Sequence, residues 1–325
     1  MPFSADFLLL PRYCVIFDAS CAMPPNGTIN HSPSPFRNSF RMTLRAYAKI
    51  NIGLRILGKR PDGYHDIETV FHQIDLFDEI VLEPAAEVTF ATDSADIPTD
   101  ATNLCVRAAR LLKQHTGCSN GVAIRLTKRI PIGAGLGGGS SDAASVLVGA
   151  NGIWGLGLAT SDLRHLAAQV GSDVAFFVEG GTAVGTSRGE VLKYVDLHVP
   201  FWIVTATPDI HISTAWAYSN VRLSGSSAAE SLWSVVESGF RDPNRLAESV
   251  TNGFQDLVFE TFPQIGQLRE HLLKDGACFS QLSGSGSSVF GLFETESDAV
   301  NALRRLSAHA VTSLTAPRFR PERLS

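Results

Sequence analysis

The chain has 325 residues, 44% of them hydrophobic and 18% charged, with a formal net charge of −5. This composition supports a sizeable core and excludes wholesale disorder, which goes with few apolar residues and high charge. The acidic balance argues against a nucleic-acid partner, which calls for a basic face, and no apolar run reaches the ~18 residues of a membrane span.

Residues 1–43 hold six of the 16 prolines. The apolar stretch Phe7–Phe17 is broken by Pro11 and Arg12, so it lacks the unbroken core of about 7–15 residues that a secretory signal needs. The methionines are Met1, Met23 and Met42, and regular patterning begins just after the last. Residues 1–43 are expected to be a disordered extension or a mis-assigned start, dispensable for activity. At roughly 150 residues per domain the remainder divides into two, expected at 44–200 and 201–320.

From Leu44 to Ile56 apolar and polar residues alternate, which predicts a half-buried strand with Tyr47, Lys49 and Asn51 on the face away from the core. Arg60-Pro61-Asp62-Gly63 is a turn signal, followed by strands near Ile67–Leu76 and Glu79–Leu82. A helix is expected over Asn103–Gln114 and a strand from Val122 to Ile130. Helices then follow from Ser141 to about Trp154 and over Asp162–Val170, the latter capped by Ser161 and closed by Gly171. In the second half the pattern predicts a strand at Phe201–Ala206 and helices at Ser213–Asn220, Ala229–Glu237, Arg245–Phe254 and Gln264–Lys274. Strands Cys278–Leu282 and Val289–Phe293 flank the loop Ser283–Ser288, and a helix capped by Ser297 follows. Strands and helices mix without regular βαβ alternation, which favours an α+β fold.

The sharpest local feature is Pro131-Ile132-Gly133-Ala134-Gly135-Leu136-Gly137-Gly138-Gly139-Ser140-Ser141, in which five residues are glycine. A strand leads in and a helix leads out. Such a loop brings backbone N–H groups close to a phosphate, and the helix N-terminus adds roughly half a positive charge. The Ser140 and Ser141 hydroxyls can donate to phosphate or sit near a metal. The dinucleotide fingerprint fits poorly, because no acidic residue ends the next strand about 20 positions on, and the Walker pattern fails for want of a Lys-Ser/Thr pair. A second small loop, Gly284-Ser285-Gly286-Ser287-Ser288, joins two apolar strands. The five cysteines form no CxxC pair, and His72, His115 and His309 have no ligand spacing. A reduced, cytoplasmic protein without a structural metal is expected.

Together these pieces resemble one family. Ala48-Lys49-Ile50-Asn51-Ile52-Gly53-Leu54 and Gly58-Lys59-Arg60-Pro61-Asp62-Gly63-Tyr64-His65 look like the start of the 4-diphosphocytidyl-2-C-methyl-D-erythritol kinases. The glycine loop matches the second motif of the wider GHMP kinase superfamily, and Gln281-Leu282-Ser283-Gly284-Ser285-Gly286-Ser287 resembles its third. The resemblance spans about residues 44–320. It implies a two-domain α+β fold, the N-terminal domain like ribosomal protein S5 domain 2 and the C-terminal one ferredoxin-like. It implies ATP and Mg²⁺ as cofactors, a small-molecule cytidine-diphosphate-linked substrate, and a monomer or weak homodimer.

The resemblance also implies residue roles. Asp173, in Gly171-Ser172-Asp173-Val174, would accept the proton of the attacking hydroxyl, where position alone allows a helix cap. Lys49 would sit beside it, and Asn51 would bind substrate. Tyr64 would stack on the cytosine and His65 hydrogen-bond its edge, using one donor and one acceptor nitrogen. Tyr218 would be the second aromatic of the clamp, and Thr214 a weaker contact. Residues 131–141 would hold ATP, Gly284, Ser285 and Gly286 would form the third glycine motif, and Ser140 and Ser141 would help hold Mg²⁺. The family usually has proline after its Asp-Val pair, where this chain has Ala175. The competing readings are another small-molecule kinase of the superfamily and an inactive binding protein of the same fold. The Pro-Asp-Gly-Tyr-His block argues against the first, and retention of both Lys49 and Asp173 against the second.

Overall fold

The computed structural model describes residues 41–222 and 230–324. The expected N-terminal extension lies outside the described residues except for its last three. Of these, Met42 and Thr43 already belong to β1 (Met42–Lys59). β1 turns at residues 60–64 into β2 (His65–Ala85), and the two pair antiparallel from Lys59↔His65 to Met42↔Leu82, with three register shifts on the way. β3 (Thr89–Thr92), α1 (Leu104–Thr116) and β4 (Gly121–Thr127) follow. Next come α2 (Gly138–Ile153), α3 (Thr160–Val170), α4 (Val174–Glu179), β5 (Thr182–Ser187) and β6 (Val191–Tyr194). The first sheet has the order β3-β4-β2-β5-β6, with β1 also on β2.

The second half runs β7 (Trp202–Thr207), α5 (Thr214–Asn220), α6 (Leu232–Gly239), α7 (Pro243–Ser249), α8 (Gln255–Thr261) and α9 (Pro263–Lys274). It ends with β8 (Phe279–Leu282), β9 (Val289–Phe293), α10 (Glu296–Leu306) and β10 (Val311–Thr315). This antiparallel sheet has the order β10-β7-β9-β8, the ferredoxin-like arrangement. No helix among the described residues is long and apolar enough to cross a membrane.

Several local expectations need correction. β1 is not half-buried: Tyr47, Lys49 and Asn51 are at most 4% exposed. One face carries Ala48, Ile50 and Ile52 onto Ile203, Phe290 and Leu292 of the second sheet. Toward the other lies the glycine loop, with the Lys49 N–H donating to the Leu136 carbonyl at 2.9 Å. β2 does not break after Leu76 but runs straight through the fully buried Asp78. α2 starts at Gly138, three residues before Ser141, so two loop glycines lie in its first turn.

The cap of α3 is Ala159, with Ser161 inside the helix. Gly171 ends it in an extended conformation, φ −177°. For α10 the cap is Thr295, whose hydroxyl accepts from the Asp298 N–H at 3.2 Å. The helix expected over Arg245–Phe254 stops at Ser249. Its continuation serves β1 instead: the Leu54 N–H donates to Thr251 O at 2.9 Å, and the Gly253 N–H donates back to Leu54 O at 2.8 Å. The helix expected at Ala229–Glu237 is α6; its first expected residue lies outside the described ones.

Candidate active site

One cavity of about 830 Å³ lies between the hairpin end of β1–β2, the glycine loop and α5. Its walls contain Lys49, Asn51, Tyr64, His65, Asp173, Thr214 and Tyr218, residues 131–140 apart from Leu136, and Gly284 and Ser285.

The glycine loop has two sets of residues with opposite tasks. Ile130, Ala134 and Leu136 are buried in the core. Gly133, Gly135 and Gly137 take φ of +64°, +77° and +70°, a region that costs an L side chain roughly 1–2 kcal/mol. At Gly135 space alone also forbids a side chain, because a Cβ would collide with the Ser283 carbonyl. The loop is thus interlocked with residues 283–288: the Ser283 hydroxyl donates to Gly135 O at 3.0 Å, and the Ser288 N–H donates to Ala134 O at 3.1 Å. Asn252 ties down the third glycine motif in turn, donating to Leu282 O and Gly284 O at 2.8 and 2.9 Å.

The loop's entry is held by three buried ionisable side chains to which sequence patterning gave no role. Asp78 Oδ1 accepts from the N–H groups of Arg129 and Ile130 at 2.5 and 2.8 Å. Its Oδ2 pairs with Lys128 Nζ, which also reaches Asp142 Oδ2 at 3.1 Å. Burial pulls the Lys128 ammonium down, but the two carboxylates outweigh it and leave the group above its usual value. Burial pushes the Asp142 carboxyl well above the ordinary range, Lys128 offsetting this only in part. Asp142 Oδ1 has no partner among the described residues. No local signal marks this cluster, since Asp78 and Lys128 are 50 positions apart.

Lys49 Nζ stands 3.7 Å from Asp173 Oδ2. It donates to Asn51 Oδ1 at 2.5 Å and to Gly135 O at 3.1 Å. Burial lowers the Lys49 pKa from the ordinary 10.5, and the Asp173 charge restores part of it. Asp173 occupies the N-cap position of α4, yet its side chain makes no capping bond. The cap reading of its carboxylate therefore fails, and about a third of the side chain stays open to the cavity. Ala175 leaves α4 intact: the Val174 N–H donates to Gly171 O at 3.1 Å, and Tyr194 donates to the Ala175 carbonyl at 3.1 Å.

Other expected residues are placed less simply. Asn51 lines the cavity but is 1% exposed, its Oδ1 accepting from Lys49 and its Nδ2 donating to Thr69 at 2.8 Å. Its side-chain bonds thus go to protein groups. Ser141 is 1% exposed and its hydroxyl donates to Tyr47 O at 2.7 Å, an arrangement that leaves the oxygen's lone pairs uncommitted. Ser140 remains on the cavity wall.

Tyr64 and Tyr218 do not face each other as a bare pair. The His65 ring stacks on Tyr218 at 4.9 Å and 24°, and Tyr218 meets Phe254 edge-on at 4.8 Å. Burial pushes the Tyr218 phenol up to about 12. Burial and then Lys59 lower the His65 pKa from 6.5, so its imidazole is neutral at pH 7. Tyr64 is 56% exposed and carries the Arg188 guanidinium over its ring at 4.8 Å. Thr214 Oγ1 is 3.3 Å from Ser285 Oγ, which joins α5 to the third motif. Among the described residues no group of three His, Cys, Asp or Glu side chains could hold a metal ion.

The GHMP kinases N terminal domain model matches residues 103–181, and the GHMP kinases C terminal model matches 231–312. A 4-diphosphocytidyl-2-C-methyl-D-erythritol kinase of Chlorobium luteolum is 45% identical over 281 residues, 86% of this chain and 98% of the relative. One from Prosthecochloris aestuarii is 46% identical over 270 residues, 82% of this chain and 94% of the relative. The crystal structure of a 4-(cytidine 5'-diphospho)-2C-methyl-D-erythritol kinase superposes with a TM-score of 0.74 at 32% identity, covering 86% of this chain and 100% of that one. The chain, a GHMP kinase with the two-domain α+β fold, therefore belongs to the 4-diphosphocytidyl-2-C-methyl-D-erythritol kinase family.

Proposed function

We propose that this kinase transfers the γ-phosphoryl group of ATP to the 2-hydroxyl of 4-diphosphocytidyl-2-C-methyl-D-erythritol, giving the 2-phosphate and ADP, in the non-mevalonate route to isoprenoid precursors. The observation that carries the reading is the Lys49–Asp173 pair, 3.7 Å apart in one cavity with the glycine loop. Such a transfer needs little covalent help from the protein. It needs the acceptor and donor aligned, the developing charge offset, and the acceptor's proton taken.

In this reading Asp173 accepts the hydroxyl proton. Lys49 pairs with that carboxylate and offsets charge on the group in flight. Asn51 and the Gly135 carbonyl hold Lys49 in place. The N–H groups of residues 133–139 and the start of α2 cradle the ATP phosphates. Ser140 offers a hydroxyl on the cavity wall, which fits Mg²⁺, an ion that takes most of its oxygens from phosphates and water. When bound, the ion neutralises charge between the β- and γ-phosphates. His65, as a neutral imidazole, offers a donor and an acceptor to a cytosine edge, beside the Tyr64 and Tyr218 rings.

A radiolabelled-ATP assay over a panel of alcohols tests the reading. The cytidyl compound is the expected acceptor. A preference for galactose, homoserine or mevalonate would overturn the substrate assignment, and no transfer to any acceptor would support the inactive-binder alternative.

A further inference from the structure

The cytidyl substrate joins its base to the reacting alcohol through a diphosphate. Those two phosphoryl groups are ionised at neutral pH, and they lie between the base and the hydroxyl that reacts. A cationic side chain between the base platform and Asp173 would offset that charge. Four cationic side chains among the described residues line the cavity: Lys49, Lys59, Lys128 and Arg188. Lys49 is committed to Asp173 and Asn51, and Lys128 to Asp78 and Asp142. Lys59 pairs across the hairpin with His65, which puts it on the base side.

Arg188 has the intermediate position. It sits in the turn between β5 and β6, and its guanidinium covers the Tyr64 ring at 4.8 Å. The next residue, Gly189, presents its bare Cα toward the reaction centre: a Cβ there would stand 3.9 Å from Asp173 Oδ1. The turn thus spans from base platform to reacting carboxylate. Glu190 fixes the root of the side chain, accepting from Arg188 Nε at 3.2 Å and from its backbone N–H at 2.8 Å. Nη1 and Nη2 make no hydrogen bond among the described residues. A guanidinium held by Nε with its outer fork unspent is suited to grip phosphate oxygens in pairs.

We propose that Arg188 binds the diphosphate of the cytidine-diphosphate-linked substrate, leaving the Tyr64 ring as the base stacks there. Base and guanidinium cannot cover the same ring face together, so cytosine arrival and release of the arginine toward the phosphates are one event. The inference rests on the substrate assignment above.

The test uses cytidine and cytidine 5'-diphosphate as calorimetric probes with the full chain, in wild type, Arg188→Gln and Arg188→Lys. Wild type should bind the diphosphate about 10-fold or more tighter than cytidine, as charge-assisted bonds to phosphate allow. Arg188→Gln should shrink that ratio to about threefold or less while cytidine itself binds no more weakly than before. Arg188→Lys, which keeps the charge but loses the fork, should fall between. In turnover, Arg188→Gln should raise KM for the cytidyl substrate and leave KM for ATP within about twofold. An unchanged ratio in Arg188→Gln, or equal weakening of both probes, overturns the proposal. Failure of wild type to phosphorylate the cytidyl substrate would instead sink the substrate assignment. The probe ratio is read independently of turnover, so the two failures are distinguishable.

Discussion

At the scale of single residues the site separates buried machinery from open recognition groups. Lys49 loses its charge as pH rises. Burial lowers its pKa, so kcat should fall on the alkaline side at a pH below the 10.5 of free lysine. An alkaline limb at 10.5 or above, read from the pH profile of kcat, would contradict that role. Asp173→Asn should leave ATP affinity within a few-fold and reduce turnover by at least the ~10²-fold typical of a lost general base. Unchanged turnover would remove Asp173 from the mechanism. His72 makes a different prediction. It is buried on β2 beside Thr182 at 2.8 Å, and burial pushes it down to about 4. Above pH 6.5 it is neutral whether folded or unfolded. Between 6.5 and about 4 the unfolded chain takes up a proton that the folded chain refuses, so stability is lost as pH falls, by about 3 kcal/mol at the lower end. His72→Gln should flatten that slope in urea unfolding at stepped pH; an equal slope would acquit His72.

At the scale of elements, the glycine loop can be tested against an internal control. Gly117 and Gly135 have φ of +68° and +77°, but a Cβ at Gly117 meets nothing within 4 Å. Gly117→Ala should cost about 1 kcal/mol from backbone strain alone and spare activity. Gly135→Ala should cost more and weaken ATP binding, because it also drives the loop off the Ser283 carbonyl. Equal effects in denaturant titration and ATP binding would mean the interlock carries no weight. The loop, the Pro-Asp-Gly-Tyr-His turn and the third motif were legible in the sequence because each is a contiguous run with a local physical purpose. What joins them was not. Asp78 reads as a break between two apolar runs, yet it is the buried anchor of a loop some 50 residues on. Arg188 and Asn252 sit in stretches without patterning. The edge strands β3, β6 and β10 have four or five residues each, too short to establish a period of two. Even the alternation of β1 misled, because alternation reports exposure only when one face meets water.

At the scale of the whole molecule, the two sheets share a core. Ala48, Ile50, Ile52, Val70 and Ile74 of the first sheet pack in one cluster with Ile203, Phe279, Phe290 and Leu292 of the second. The Asp75 N–H also donates to Thr315 Oγ1 at 2.9 Å, from β2 to β10. Neither sheet can lose its partner without exposing that surface to water, at roughly 25 cal/mol per Å². Chemical denaturation should therefore give a single transition when followed by tryptophan fluorescence and by circular dichroism. Two resolved transitions would show that each half holds its own core.

The shared strand also has a consequence for how substrate choice can change. β1 contributes to three separate core clusters, through Ala46, through Ala48, Ile50 and Ile52, and through Leu54, and Lys49 rides on it. In the proposed mechanism the phosphoryl-transfer chemistry is thus bolted to the frame. Tyr64 and Arg188 stand instead on two tight turns that carry little of the core. A library confined to residues 60–65 and 187–190, with Gly63 and Gly189 kept for their φ of +88° and +103°, should shift acceptor preference at little cost in folding.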